Sequence, residues 1–166
     1  MVLAGALEGM SIGLFQWRVL RRVFPTLTAR AWLIPTISVA AGGWFIGMLP
    51  QMFFEGGEGT QTTPEPSPQV VMIFATVFGG IAGIVFGAAQ CFVLRRHVSA
   101  ATVWIWTNAI GWALAMAVIY LGASLPTAEW TLGAVVLTGA LTGIVAGLTI
   151  GAVTGAGLVR LHRGGS

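Results

Sequence analysis

The chain has 166 residues, of which 56% are hydrophobic and 8% charged, and its formal net charge is +3. Soluble domains have about a quarter charged residues, so this composition excludes a soluble globular protein and predicts an integral membrane protein. The arginines stand in short clusters at the ends of apolar runs, a topology signal that predicts no nucleic-acid partner. Cys91 is the single cysteine, which excludes an intrachain disulfide and a cysteine metal cluster.

Five apolar runs predict five transmembrane helices in an all-α membrane bundle, since a span needs about 20 residues. In chain order the predicted helices are residues 2–20, 31–49, 70–94, 101–123 and 130–161. Pro25 and Pro50 predict the ends of the first two helices, because proline removes a backbone donor. Residues 51–69 are rich in Glu, Gly, Thr and Pro and predict an aqueous loop. The fifth helix is longer than a span requires, which predicts a tilt.

The charges predict the orientation of these helices. Every arginine lies in the last turn of helix 1 or 5 or in the segments that follow helices 1, 3 and 5, so the positive-inside rule places the C-terminus inside and the N-terminus outside. The loops after helices 2 and 4 hold no arginine and four of the glutamates, Glu55, Glu58, Glu65 and Glu129. The predicted location is therefore the bacterial inner membrane, crossed five times.

One sequence frame occurs twice and, in a weaker form, a third time. Residues 5–22 and 79–96 both have glycines four apart, then a glutamine, then Val-Leu-Arg-Arg. Residues 143–160 keep the glycines, the leucine and one arginine, with Thr154 at the glutamine position. A single membrane domain is predicted, made of two parallel hairpin repeats (1–50 and 70–123) and a half-repeat (130–161).

The glycines of this frame predict close helix packing. Glycines four apart advance about 400° around a helix and form a slowly drifting groove that another backbone can approach. We favour packing over a glycine-lined pore or a surface that holds a cofactor. The predicted packing glycines are Gly5, Gly9, Gly13, Gly79, Gly83, Gly87, Gly139, Gly143, Gly147 and Gly151.

Four polar side chains in or beside these helices are candidate ligands. Gln16 and Gln90 lie on the glycine face, where each amide is expected to hydrogen-bond to a neighbouring helix for roughly 0.6–2 kcal/mol. The alternative is ligation of a magnesium porphyrin or a polar head group, so a bound pigment, quinone or lipid stays open. Asn108 is a further polar residue within a span. For His97, in the basic margin, a solvated or lipid-facing position is favoured over a ligand role.

Glu8 is the one acid inside a predicted span, and intramembrane carboxylates are functional candidates by default. Thr131, Thr138, Thr142 and Thr149 share one flank of helix 5. One hypothesis holds that such hydroxyls, Thr142 for example, bind Glu8. The alternative is that the threonines bond the carbonyls of their own helix.

Arginine pairs and tryptophans predict the membrane margins. Arg21, Arg22, Arg95 and Arg96 orient the helices and are expected to contact anionic lipid, worth about 1 kcal/mol per basic residue. Trp17, Trp32, Trp104, Trp106 and Trp130 are expected at the interfaces. Trp44 and Trp112 each follow a glycine, and as repeat equivalents they are expected to fill the space that glycines open.

No catalytic motif occurs in the chain. It has no paired intramembrane carboxylates, no G-x-S-x-G, no H-E-x-x-H and no phosphate-binding glycine loop. A non-enzymatic protein is expected.

The two full copies of the frame end in residues 16–22 and 90–96 and precede hairpin partners that contain Gly43-Trp44 and Gly111-Trp112. In this the chain resembles uncharacterised bacterial integral-membrane proteins built of Gly-rich Q-x-x-[VL]-L-R-R hairpins. The resemblance covers about residues 1–50 and 70–122, and it implies no substrate or catalytic residue.

The sequence therefore indicates two alternative functions. The first is an accessory or scaffold subunit whose glycine faces pack within the protein and against other subunits of a larger membrane complex, respiratory or photosynthetic complexes included, or against a second copy. The second is a small oligomeric channel or transporter that uses Glu8 and the helix-5 threonines.

Overall fold

The computed structural model describes residues 2–54 and 66–163, with side chains for residues 2–48 and 66–161. These residues form five α-helices and no strand. The helices are α1 (Val2–Val23), α2 (Ala29–Phe54), α3 (Pro68–Leu94), α4 (Val103–Ala123) and α5 (Leu132–Arg163). Most of the predicted aqueous loop, residues 55–65, lies outside the described residues.

Seven of the ten helix ends differ from the sequence prediction, by two to five residues. The prediction that α2 ends at Pro50 and that the loop begins at residue 51 is wrong, because α2 continues to Phe54. A proline removes only its own hydrogen bond to the fourth preceding carbonyl, so the remaining bonds can continue the helix with a kink. α3 begins at Pro68, two residues earlier than predicted. Ser67 caps it, since its side chain accepts from the backbone N–H of Val70.

Four of the five described helices are long and apolar enough to cross a membrane, namely α2 within Ala29–Met48, α3, α4 and α5 within Leu132–Leu161. α1 is not among them, since Glu8, Gln16 and Arg18 lower its mean hydropathy. These helices define a multi-pass helical membrane protein. Its many exposed large apolar side chains, on α3 and α5 above all, are the surface expected of helices that face lipid.

Successive helices pack against one another and run antiparallel. α1 packs on α2, α2 on α3, α3 on α4 and α4 on α5. The turns after α1 and α3 meet at one end of the bundle, where Thr26 Oγ1 and His97 Nδ1 share a hydrogen bond of 3.1 Å. The arginines of both turns and Arg160 of α5 lie at this end, which we call the basic end.

The core lies near the basic end. Leu20, Leu94 and Leu158, which occupy the same position of the sequence frame in α1, α3 and α5, are all buried in one cluster. Trp32 and Trp104 belong to the same cluster and pack edge to face, with ring centroids 5.9 Å apart. The core thus joins the three glycine-bearing helices at the end where their arginines lie.

Candidate functional site

The glycine rows of α1 and α3 are covered by the next helix. A Cβ added at Gly9 would lie 2.7 Å from Ala40 Cβ and 2.9 Å from Ile37 Cα of α2. At Gly83, 74 residues further on, the added atom would lie 2.8 Å from Ala109 Cα of α4. Real Cβ atoms do not approach so closely, so these positions require glycine for the backbones to touch. Gly5, Gly13, Gly79 and Gly87 face the same two partner helices.

The glycine row of α5 is open. A Cβ added at Gly139, Gly143, Gly147, Gly151 or Gly155 would meet no atom within 4 Å in the described structure. α5 packs on α4 through other positions. The side chain of Thr142 lies against Gly122, and that of Thr107 lies against Gly157. Four of the predicted packing glycines, Gly139, Gly143, Gly147 and Gly151, therefore pack against nothing within the described chain.

A cleft of about 800 Å³ lies between α1 and α5 with α4 at its back. Gly143, Gly147 and Gly151 form part of the α5 wall. The α1 wall is apolar apart from Glu8 and Gln16. The cleft thus combines an open row of glycines on α5 with two polar side chains on α1, Glu8 and Gln16.

Gln90 is the hub of a hydrogen-bond network that joins four helices. Its side chain is 0% exposed. Its Nε2 donates to Gln16 Oε1 of α1 at 2.9 Å and to Thr36 Oγ1 of α2 at 3.0 Å. Its Oε1 accepts from Trp104 Nε1 of α4 at 2.7 Å. Both amide hydrogens of Gln90 are used inside the protein, which leaves an external ligand only the one remaining lone pair of a fully buried oxygen.

Two residues of this network, Thr36 and Trp104, were not among the candidate site residues. Thr36 Oγ1 donates to the carbonyl of Trp32 at 2.8 Å, and Asn108 Nδ2 donates to the carbonyl of Trp104 at 2.9 Å. Each bond runs to the residue four positions earlier, and the two pairs are 72 residues apart. The sequence contains a pattern that could have identified them, because in both hairpins a tryptophan is followed four positions later by a small polar residue. Asn108 Oδ1 and Trp32 Nε1 are buried without a partner among the described residues.

The tryptophans pack in different ways. Trp32 and Trp104, expected at the inner interface, lie near the basic end with their rings buried in its cluster, at 0% and 2% exposure. Trp44 and Trp112 do not occupy equivalent positions, since the backbones of Ala40 and Trp112 face Gly5 and Gly79. Trp44 fills the space above Gly5, whereas the Trp112 ring stacks on Phe86 at 5.0 Å.

Glu8 and the threonines of α5 are held separately. Glu8 Oε2 accepts a hydrogen bond of 2.8 Å from Trp44 Nε1. Thr142 lies against Gly122 of α4, and Thr149 Oγ1 donates to its own helix carbonyl at Val145. The hypothesis that Thr142 binds Glu8 is therefore wrong in this structure, because tryptophan takes the carboxylate and α4 takes the threonine.

The basic end holds stacked arginines. The guanidinium of Arg95 lies 3.8 Å from the centre of the Phe92 ring, and that of Arg21 lies 4.7 Å from the Trp17 ring. His97 bonds Thr26 and faces the Phe24 ring, so it joins two turns. Arg22 and Arg96 are also at this end. A groove of about 440 Å³ between α2 and α3 has Arg30 and Arg96 at its rim and apolar residues, Ile34, Phe92 and Val93 among them, along its length.

Within the described residues, no three of the His, Cys, Asp and Glu side chains come together as metal ligands. Comparison with protein-family models, with curated proteins and with solved structures yields no match. The candidate site is therefore defined by its own geometry, which is an open glycine face beside a polar hub.

Proposed function

We propose that the chain crosses the bacterial inner membrane five times as two hairpin repeats and a half-repeat, with the basic end inside. Four apolar helices support this topology, and α1, which packs antiparallel on α2, is the fifth crossing. The matching contacts of Gly9 with α2 and of Gly83 with α4 support the repeat. The positions of the arginines at one end support the orientation.

The function that this geometry supports best is a non-enzymatic subunit or scaffold that binds a membrane partner through α5. One observation favours it: the glycine row of α5 is open, while the corresponding rows of α1 and α3 are each covered by a helix. In lipid, apolar side chains gain nothing by leaving the solvent, so helix association depends on close packing and hydrogen bonds. The open row of glycines on α5 allows close packing, and Gln16 on the facing wall of the cleft supplies a hydrogen-bonding group.

The contacts favour packing over the channel or transporter alternative. Glu8 accepts from Trp44, and Thr149 donates to its own helix. Two of the hydroxyls that a transport path would need are therefore taken up elsewhere, Thr149 within its own helix and Thr142 against α4.

Purification from native membranes in mild detergent tests the subunit role. We expect the protein to co-purify with another membrane protein in fixed stoichiometry, and Gly147→Leu to release it, because leucine blocks backbone contact at an open site. Gly133→Leu is the matched control, since Gly133 is equally open but does not line the cleft. The amount of partner per chain is measured for all three proteins. Purification of the unaltered protein alone would contradict the role.

Membrane lipid is the second expected partner, at the groove between α2 and α3. Arg30 and Arg96 at its rim suit an anionic head group, and its apolar length suits an acyl chain. We expect Arg30→Gln combined with Arg96→Gln to lower the affinity for phosphatidylglycerol by roughly tenfold or more, at about 1 kcal/mol per arginine. Native mass spectrometry of bound lipid measures this. The control is Arg21→Gln with Arg22→Gln, which removes the same charge outside the groove and should lower the affinity less. An equal loss in both variants would contradict a groove-specific site.

A further inference from the structure

The helices follow one another around the bundle with a gap between the last and the first. Each of α1 to α4 packs on its successor, and α5 faces α1 across the cleft. α2 covers the glycines of α1 and also contacts α3, and α4 covers the glycines of α3 and also contacts α5. A sixth helix in the cleft would stand in the same relation to α5 and to α1.

The two covering helices present the same kinds of side chain to the glycines. At Gly13 and Gly87 these are a branched aliphatic residue, Leu33 or Ile105, with Thr36 or Asn108 beside it. Gly9 and Gly83 face the residues that follow, Ile37 and Ala109. Trp32 and Trp104 precede the aliphatic residues. From the basic end outward, both covering helices therefore have the pattern W-[LI]-x-x-[TN]-[IA].

Gln16 provides an independent observation that the cleft takes a polar partner. Its side chain lines the cleft, and within the described residues its hydrogen bond is the one its Oε1 accepts from Gln90. The Gln16 side chain is half-buried, and its Nε2 hydrogens have no acceptor among the described residues. Gln90, in the equivalent position, donates from its Nε2 to Thr36 of the preceding covering helix.

We propose, on the basis of the subunit role above, that the cleft is occupied by one transmembrane helix of a different protein. This helix runs antiparallel to α5 and has the pattern W-[LI]-x-x-[TN]-[IA], read from the basic end. Its Thr or Asn accepts from Gln16 Nε2, as Thr36 does from Gln90. Its tryptophan N–H donates to Thr154, which stands at the glutamine position of α5, as Trp104 does to Gln90.

A second copy of this chain fits the cleft less well. Copies inserted with the same orientation have parallel α5 helices, whereas the covering helices of Gly9 and Gly83 run antiparallel to the helix they cover. The α2 and α4 helices of another copy run in the required direction, but their pattern residues already face α1 and α3. The antiparallel requirement therefore favours a helix from another protein.

The test supplies the missing helix from the chain itself. A copy of residues 97–123, which contains a basic-end turn and α4, is fused after Ser166 of the full chain. We expect the fused helix to dock and to raise the midpoint of thermal unfolding in detergent by roughly 5 °C. In the fused chain, Gly147→Cys should react with a lipid-soluble maleimide several-fold more slowly than in the unfused chain. Cys91 is buried and stays in both.

Two controls make the result specific. In the first, Asn108→Leu and Ala109→Leu are introduced only in the fused copy, which should abolish both the rise in midpoint and the protection. In the second, Gln16→Leu in the fused chain should remove part of the rise, since the predicted hydrogen bond is lost. Equal protection by the altered and unaltered copies would overturn the pattern. Disulfide-linked dimers of the unfused Gly147→Cys protein would instead identify a second copy as the occupant and overturn the proposal.

The results distinguish failure of the cleft proposal from failure of the subunit role. A native partner that stays bound to the Gly147→Leu protein, together with a fused helix that does not dock, leaves a subunit role but overturns the cleft as its site. A chain that purifies alone from native membranes contradicts the subunit role, whatever the fused helix does. A native partner released by Gly147→Leu whose helices all lack the pattern also overturns the proposal.

Discussion

Gly83→Ala is expected to destabilise the protein by about 1–3 kcal/mol, whereas Gly147→Ala is expected to leave its stability unchanged or to raise it by up to about 1 kcal/mol. The two glycines occupy the same position of the sequence frame, in α3 and α5. A Cβ at Gly83 would meet the backbone of Asn108 and Ala109, which cannot move aside without separating α3 from α4. A Cβ at Gly147 would meet nothing within 4 Å. Alanine there also has the higher helix propensity.

Reversible unfolding in mixed detergent micelles measures both changes. Gly9→Ala serves as a third member of the set, since its Cβ would meet Ala40 and Ile37 of α2, and it should behave like Gly83→Ala. If Gly83→Ala and Gly147→Ala had the same effect, the glycines would act through the helix backbone alone and not through the neighbouring helix. Whether a glycine is covered or open would then make no difference to the free energy of unfolding.

Composition and periodicity sufficed to predict the helices, because both are local properties. Runs of about 20 apolar residues have few alternatives in a bilayer, and the predicted cores of all five helices lie within those of the structure. The helix ends depend on more than these local properties. Pro50 does not end α2, since a proline interrupts one hydrogen bond and the apolar run continues on both sides.

Which face of each helix meets which neighbour could not be predicted in the same way. The glycines of α1, α3 and α5 look alike in the sequence, yet among the described residues only the rows of α1 and α3 have a helix on them. Whether a glycine groove is filled depends on how the neighbouring helix packs. α4 contacts α5 through Gly111 and Thr107, on a flank of α5 away from its glycine row. The open cleft is therefore a property of the arrangement and not of the glycine motif.

The polar residues show a similar limit. Gln16 and Gln90 were identified from their place in the frame, but their partners Thr36 and Trp104 lie 54 and 14 residues from Gln90 in sequence. A tryptophan near the end of a span usually marks an interface. The ring of Trp104 is buried in the core, where the side-chain oxygen Oε1 of Gln90 accepts its N–H. A pairing of that kind depends on the spatial register of two helices, which a single sequence does not specify.

Because of these hydrogen bonds, we expect the replacement of Gln90 to lower the free energy of unfolding more than the replacement of any other polar residue in the network. Gln90→Leu removes two donated bonds and leaves Trp104 Nε1 buried without an acceptor. An unsatisfied buried donor costs about 1–3 kcal/mol and each interhelical bond about 0.6 kcal/mol, so the variant should lose roughly 2–4 kcal/mol. Gln16→Leu loses one bond at a half-buried position, and we expect a loss of about 1 kcal/mol.

A double-mutant cycle of Gln16→Leu and Gln90→Leu isolates the bond between the two glutamines. We expect a coupling energy of about 0.6–1.7 kcal/mol, from the average to the largest value that such cycles give for interhelical hydrogen bonds in membranes. Zero coupling would mean that Gln16 and Gln90 do not bond in the folded protein. If instead Gln90→Leu folded with unaltered stability but lost a bound pigment or quinone, the residue would be a ligand and not the hub. If Gln90 is the hub, Gln90→Leu should instead lose stability before it loses any ligand. The amide hydrogens of Gln90 are used within the bundle, and of the two glutamines Gln16 is the one that retains donors toward the cleft.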